Sequence, residues 1–188
     1  MSQESDEIAV AELVNDRGIV WNPQHGMRLY SGGYYGQPVG IKKPKSAEFD
    51  KPLELSLIEC TYLTRIGKLR VCDSNDGHVL TETDLLALGM TKSDEFRDRL
   101  AVYSELRELG YVVRPGLKFG TDFAVYEHGP GIDHAPFLVH MIPQKKGVLP
   151  LDIVRAGRLA TSVKKKFIVA TVKENGEIAY YMFQWHRP

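Results

Sequence analysis

Cysteine is scarce in this chain: Cys60 and Cys72 are the only two in 188 residues, and they show no metal-ligand spacing. That usage fits a reduced, cytoplasmic setting. No apolar run approaches the roughly 20 residues of a membrane-spanning helix. The first ten residues, MSQESDEIAV, are acidic and lack a positive region followed by an apolar one, which speaks against a secretory signal. Internal repeats and low-complexity segments are absent. Gly32, Gly33 and Gly36 flank Tyr34 and Tyr35, but no helix is expected to open after them, so they do not make a dinucleotide fingerprint.

Charge of one sign is missing as well, since 24 Lys and Arg balance 24 Asp and Glu. A neutral chain argues at first against a nucleic-acid partner, but the distribution is uneven. Acidic residues gather at the N-terminus and around Asp94 to Asp98. Basic ones cluster at Lys42, Lys43 and Lys45, at Lys145 and Lys146, and from Arg155 to Lys166. Clustered charge on a neutral chain still creates local positive potential. With 43% apolar and 26% charged residues the composition is that of a globular protein with a real core, not of a disordered one.

Alternation predicts short strands at 7–14, 18–21 and 26–30, separated by turns at Asn15 to Gly18 and Asn22 to Gly26. Residues 39–51 read as an exposed, basic loop. Leu55, Ile58, Tyr62 and Ile66 stand at helical spacing and end on Gly67, which predicts an amphipathic helix. A short strand at Leu69 to Cys72 and a helix at Asp84 to Gly89 complete a first domain, 1–92. The second domain, 93–188, opens with Thr91 and Asp94 at capping-box spacing and a stripe of Phe96, Leu100, Tyr103 and Leu106 closed by Gly110. Strands follow at 111–114, 117–126 and 137–142, then a helix near 150–164 and strands at 166–172 and 177–185. Asn175-Gly176 marks a two-residue hairpin. The order of elements predicts an α+β chain: a small mixed N-terminal domain, then a mixed sheet packed by helices.

The C-terminal half carries the candidate chemistry. Cleavage of RNA by its own 2′-hydroxyl needs a base for that proton, an acid for the departing 5′-oxygen and a cation near the phosphate. Tyr126 ends a strand-like run, His134 follows a Gly-Pro turn, and Lys164, Lys165 and Lys166 close a helix. An imidazole suits the acid and an ammonium the cation. A phenol, with a pKa near 10, serves as base only beside a cation that lowers it. Each residue also has a structural reading: strand packing for Tyr126, an exposed turn for His134, and complementing a helix dipole for the lysines. Asp122, Glu127 and Asp133 lie near one another in sequence but lack the spacing of a two-metal nuclease. No metal or other cofactor is expected.

The segments YSELRELGYVVRPGLKFGTDFAVYE (103–127), DHAPFLVHMIP (133–143), VRAGRLATSVKKKFIVATV (154–172) and GEIAYYMFQW (176–185) together resemble the catalytic subunit of the archaeal tRNA-splicing endonuclease. YYG (34–36) and LELSLIECTYL (53–63) resemble it more loosely. The resemblance implies a restriction-endonuclease-like C-terminal domain that works without metal. It implies cleavage of precursor tRNA at bulge-helix-bulge motifs, with Tyr126 as base, His134 as acid and Lys165 as charge stabiliser. It also aligns Arg158 with a clamp on a bulge base, and makes Trp185 and Arg187 candidates for the same RNA surface. Trp185 alternatively packs at a subunit contact.

Two departures from the family pattern bear on partners. Self-assembling members carry an acidic loop where this chain has PQKKGVL (143–149), which points to a heterotetramer with a non-catalytic structural subunit. The segment IKKPKSAEF (41–49) resembles an inserted loop whose Lys42, Lys43 and Lys45 would bind RNA. Two rival readings remain at this point: a non-catalytic, RNA-binding subunit of the same assembly, and a metal-dependent DNA nuclease.

Overall fold

A computed structural model describes residues 7–41, 44, 46–132, 134–162 and 164–183. They form two compact units that divide between Asp94 and Glu95.

The first unit contains β1 (Ala9–Val14), β2 (Arg17–Val20), α1 (Pro23–Ser31), β3 (Gln37–Pro38), β4 (Leu53–Ser56), α2 (Leu57–Arg65), β5 (Leu69–Asp73), β6 (Val79–Leu80) and α3 (Glu82–Lys92). Its sheet runs in the order β3-β4-β2-β1-β5-β6. β1 and β5 pair in parallel, and the other neighbouring strands antiparallel. Ala9, Ala11 and Leu13 alternate inward along β1 and join Leu53, Leu55, Leu63 and Val71 in the core, as period-two patterning requires.

Two expectations are corrected here. Residues 26–30 are not a strand but lie in α1. Asn22, read as a turn residue, accepts hydrogen bonds from the backbone of Gln24 and His25, and Pro23 opens the helix with a preset φ. The LELSLIE segment is not one helix. Leu53 and Leu55 are fully buried along β4, and α2 begins only after Ser56, which forms a capping box with Glu59. Glu59 is itself buried, and its other carboxylate oxygen accepts from the Gly36 backbone N–H at 2.9 Å. Gly36 has φ +69°, and a Cβ there would stand 2.7 Å from the Glu54 carbonyl oxygen. The YYG turn and the start of α2 are thus one bonded unit, although 23 positions separate Gly36 from Glu59.

The second unit contains α4 (Phe96–Glu108), β7 (Val112–Pro115), a 3₁₀ turn (Leu117–Phe119), β8 (Phe123–Tyr126), β9 (Phe137–Met141), α5 (Pro150–Ser162), β10 (Lys166–Val172) and β11 (Ile178–Phe183). The sheet order is β11-β10-β9-β8-β7. β9 and β10 are parallel, so the chain must cross over between them, and α5 makes that crossover. The hairpin at Asn175-Gly176 pairs β10 with β11 antiparallel, as the sequence predicts. The α4 stripe of Phe96, Leu100, Tyr103 and Leu106 is buried as predicted. Its cap is not. Thr91 still belongs to α3, where its hydroxyl donates to the Leu88 carbonyl at 2.7 Å, and α4 starts after Glu95 without a side-chain cap.

The expected strand at 117–126 divides into the 3₁₀ turn and β8. Gly116 explains the break, because a Cβ there would meet Thr121 Oγ1 at 2.4 Å and the Thr121 carbonyl oxygen at 2.7 Å. The chain folds back on itself before β8 begins. β3 and β6 are two residues each, too short to leave a periodic signal.

Candidate active site

Sheet topology brings the three sequence candidates to one edge. β8 runs antiparallel to β9, and β9 parallel to β10. The C-terminal end of β8 therefore lies on the same side of the sheet as the N-terminal ends of β9, its neighbour, and of β10, the next strand over. Tyr126 is the last residue of β8, His134 lies three residues before β9, and Lys165 immediately precedes β10. Tyr126 is half-buried and packs against the cluster of Ala124, Ala135, Leu138, Phe167 and Val169. His134 is exposed, and the next residue, Ala135, belongs to that cluster.

The three lysines differ in placement. Lys164 takes a left-handed conformation, φ +54°, after α5, and its N–H donates to the Thr161 carbonyl at 3.1 Å. That reversal leaves Lys164 exposed and turns Lys165 inward, half-buried. Lys165 Nζ donates to the Ala135 carbonyl at 2.5 Å and lies 5.6 Å from the centre of the Phe119 ring. Lys166 is exposed; its N–H donates to the Pro136 carbonyl at 2.8 Å, and its ammonium lies over the Phe137 ring at 5.7 Å. Lys165 is thus the half-buried cation of the cluster, tied to the backbone beside His134.

Arg158 lies exposed on α5. Lys42, Lys43, Lys45, Trp185 and Arg187 lie outside the described residues. Lys145 and Lys146 of the basic 143–149 loop stand 3.5 Å from Glu174 and 3.2 Å from Glu95 respectively. Both lysine side chains are mostly exposed, so these pairs contribute at most about 1 kcal/mol each.

Sequence reading missed a charged relay in the same unit. Lys146, Glu95, Arg99 and Asp122 alternate in sign, and the chain of contacts ends on His140. Asp122 Oδ2 accepts from His140 Nδ1 at 2.7 Å and from the Met141 N–H at 2.8 Å. Arg99 Nε stands 2.8 Å from Asp122 Oδ1 in an ion pair without an aligned hydrogen bond. Burial pushes the Asp122 carboxyl up, but the bonds from His140 and Met141 and the Arg99 charge outweigh it and hold the group below its usual range. A cavity of about 460 Å³ adjoins this relay, lined among others by Arg99, His140, Lys146, Phe119 and Phe167. Its lining reaches from the approach to β8 and the end of β9 to Phe167 and Val169 of β10. The relay leaves no trace in local periodicity, because its members come from α4, the β8 approach, β9 and a loop.

Among the described residues no helix is long and apolar enough to cross a membrane. What the fold and site define is a two-unit α+β chain whose second sheet gathers a phenol, an imidazole-bearing segment and an ammonium at one edge. Residues 9–86 match the family model for the tRNA intron endonuclease N-terminal domain, and residues 96–180 that for its catalytic C-terminal domain. The tRNA-splicing endonuclease of Hyperthermus butylicus is 45% identical over 95% of this chain and 98% of its own. That of Sulfurisphaera tokodaii is 44% identical over 94% and 98%, and that of Saccharolobus solfataricus 41% over 93% and 97%. The chain belongs to the tRNA-splicing endonuclease family, and is an endonuclease.

Proposed function

We propose that this enzyme excises introns from precursor tRNA by cutting at bulge-helix-bulge motifs through metal-independent transesterification. Tyr126, as its phenolate, takes the proton of the 2′-hydroxyl at the cut site. The 2′-oxygen then forms a bond to phosphorus while the bond from phosphorus to the 5′-oxygen breaks. His134 gives its proton to that departing oxygen, and the Lys165 ammonium stabilises the added negative charge on the phosphate. The products are a 2′,3′-cyclic phosphate and a 5′-hydroxyl.

The observation that carries this reading is the placement of Lys165, whose ammonium bonds the carbonyl next to His134 on the cluster that also seats Tyr126. Its half-burial supports the charge-stabilising role, because a partly desolvated cation interacts more strongly with a phosphate than a hydrated one. The decisive experiment is cleavage of a bulge-helix-bulge RNA in EDTA with analysis of the ends formed. Cyclic phosphate and 5′-hydroxyl ends without metal support it. A requirement for added metal, or cutting of duplex DNA, favours the metal-dependent nuclease instead.

The finer features belong to the same proposal. The catalytic domain spans 93–188 and the N-terminal one 1–92, in a cytoplasmic enzyme. Arg158 clamps a bulge base by stacking its guanidinium, while Lys42, Lys43, Lys45, Trp185 and Arg187 add RNA contacts. The basic 143–149 loop supports assembly as a heterotetramer with a structural subunit. Mass measurement of the purified chain, alone and with a candidate partner, tests this: full activity of a homotetramer overturns it.

A further inference from the structure

Phe119 has no role in the chemistry above, yet it touches the residue on which that chemistry depends. It ends the 3₁₀ turn, whose closure is tight: Phe119 N–H donates to the Gly116 carbonyl at 2.7 Å and Gly120 N–H to the Leu117 carbonyl at 3.0 Å. Gly116 admits no side chain against Thr121. The turn is therefore pinned, and its last side chain is half-buried against the Ala124, Ala135, Leu138, Phe167 and Val169 cluster. From there the ring lies 5.6 Å from Lys165 Nζ and 5.5 Å from Lys118 Nζ.

We infer that Phe119 is a positioning residue for Lys165, its ring and the Ala135 carbonyl together holding the ammonium in place. The chemistry of the two partners is what suits the task. An ammonium carries three N–H donors, and the Ala135 carbonyl takes one of them. The ring attracts the cation through its quadrupole, more strongly for a half-buried ammonium such as Lys165 than for the exposed Lys118. The inference rests on the catalytic role proposed for Lys165.

The test compares full-length Phe119→Leu, which keeps apolar bulk and loses the quadrupole, with Phe119→Trp, which keeps the quadrupole and adds bulk. Single-turnover cleavage of a bulge-helix-bulge RNA should fall about tenfold in F119L with RNA affinity unchanged, and stay within about threefold of the parent in F119W. A residue that only fills space gives the reverse order, since Leu is tolerated and Trp overpacks. Phe119→Met replaces F119L if thermal melting shows the latter unfolded. An independent readout is the ε-¹³C signal of Lys165, assigned by its loss in Lys165→Arg, which should lose its ring-current shift in F119L. Unchanged cleavage in F119L, with Lys165→Ala inactive, overturns the inference. Wild-type cleavage by Lys165→Ala instead overturns the catalytic reading of the lysine, whatever the signal does.

Discussion

The Lys165 ammonium donates a 2.5 Å hydrogen bond to the carbonyl of Ala135, the residue after His134. The segment bearing the cation that would stabilise the cleaved phosphate is therefore tied to the segment bearing the imidazole that would protonate the leaving oxygen, across 30 positions of chain. Changing either partner should disturb chemistry more than stability.

Replacement of the three lysines one at a time separates their parts. Lys165→Ala should lower single-turnover cleavage by about 10²-fold or more, the scale of losing a preorganised electrostatic partner. Lys164→Ala and Lys166→Ala remove exposed cations and should act chiefly on RNA affinity, in a salt-dependent way. Equal losses of rate in all three would deny Lys165 its special place.

His134→Ala should slow cleavage by about 10²-fold while RNA binding holds, as expected for loss of a general acid. Because His134 is exposed, its melting temperature should stay near that of the parent, within about 0.5 kcal/mol of stability. A fully active variant removes the imidazole from the mechanism.

Asp122 offers a pH test that is independent of activity. Its folded-state carboxyl is held below the usual range, so the ionised form contributes stability that is present above the unfolded pKa, near 4, and lost as pH falls through the folded value. Asp122→Asn should cost about 2 kcal/mol at neutral pH, by leaving His140 and Arg99 with a weaker partner. The gap between variant and parent in urea melts should narrow as pH falls below about 4. A constant gap at all pH would show that the carboxylate charge adds nothing.

For the basic loop, joint replacement of Lys42, Lys43 and Lys45 by Ala should weaken RNA binding and flatten its dependence on salt by up to about three ions, since each phosphate contact releases counterions. An unaltered slope makes the loop a solvated one.

Much of the second unit was legible from residues alone. The α4 stripe, the Asn175-Gly176 hairpin and the β10 strand follow from period and turn chemistry, which are local. Errors fell where a local signal had two meanings. Asn22-Pro23 serves as a turn and as a helix start, and Leu53 to Leu57 satisfies both a strand and a helix until Ser56 caps the latter. Tyr126, His134 and Lys165 were weak singly, and resemblance to a family singled them out. Phe119 and the relay through Asp122 and His140 were not legible at all. Their partners are supplied by tertiary contact, Lys165 to Phe119 across 119–165 and Asp122 to His140 across β8 and β9.

End analysis of cleaved RNA is the most direct test of the central claim. A bulge-helix-bulge substrate, incubated with the enzyme and any required partner in excess EDTA, should be cut to 2′,3′-cyclic phosphate and 5′-hydroxyl ends, with that cleavage greatly slowed in Tyr126→Phe, His134→Ala and Lys165→Ala. Products bearing 5′-phosphate, or activity that EDTA abolishes and added magnesium restores, would contradict it.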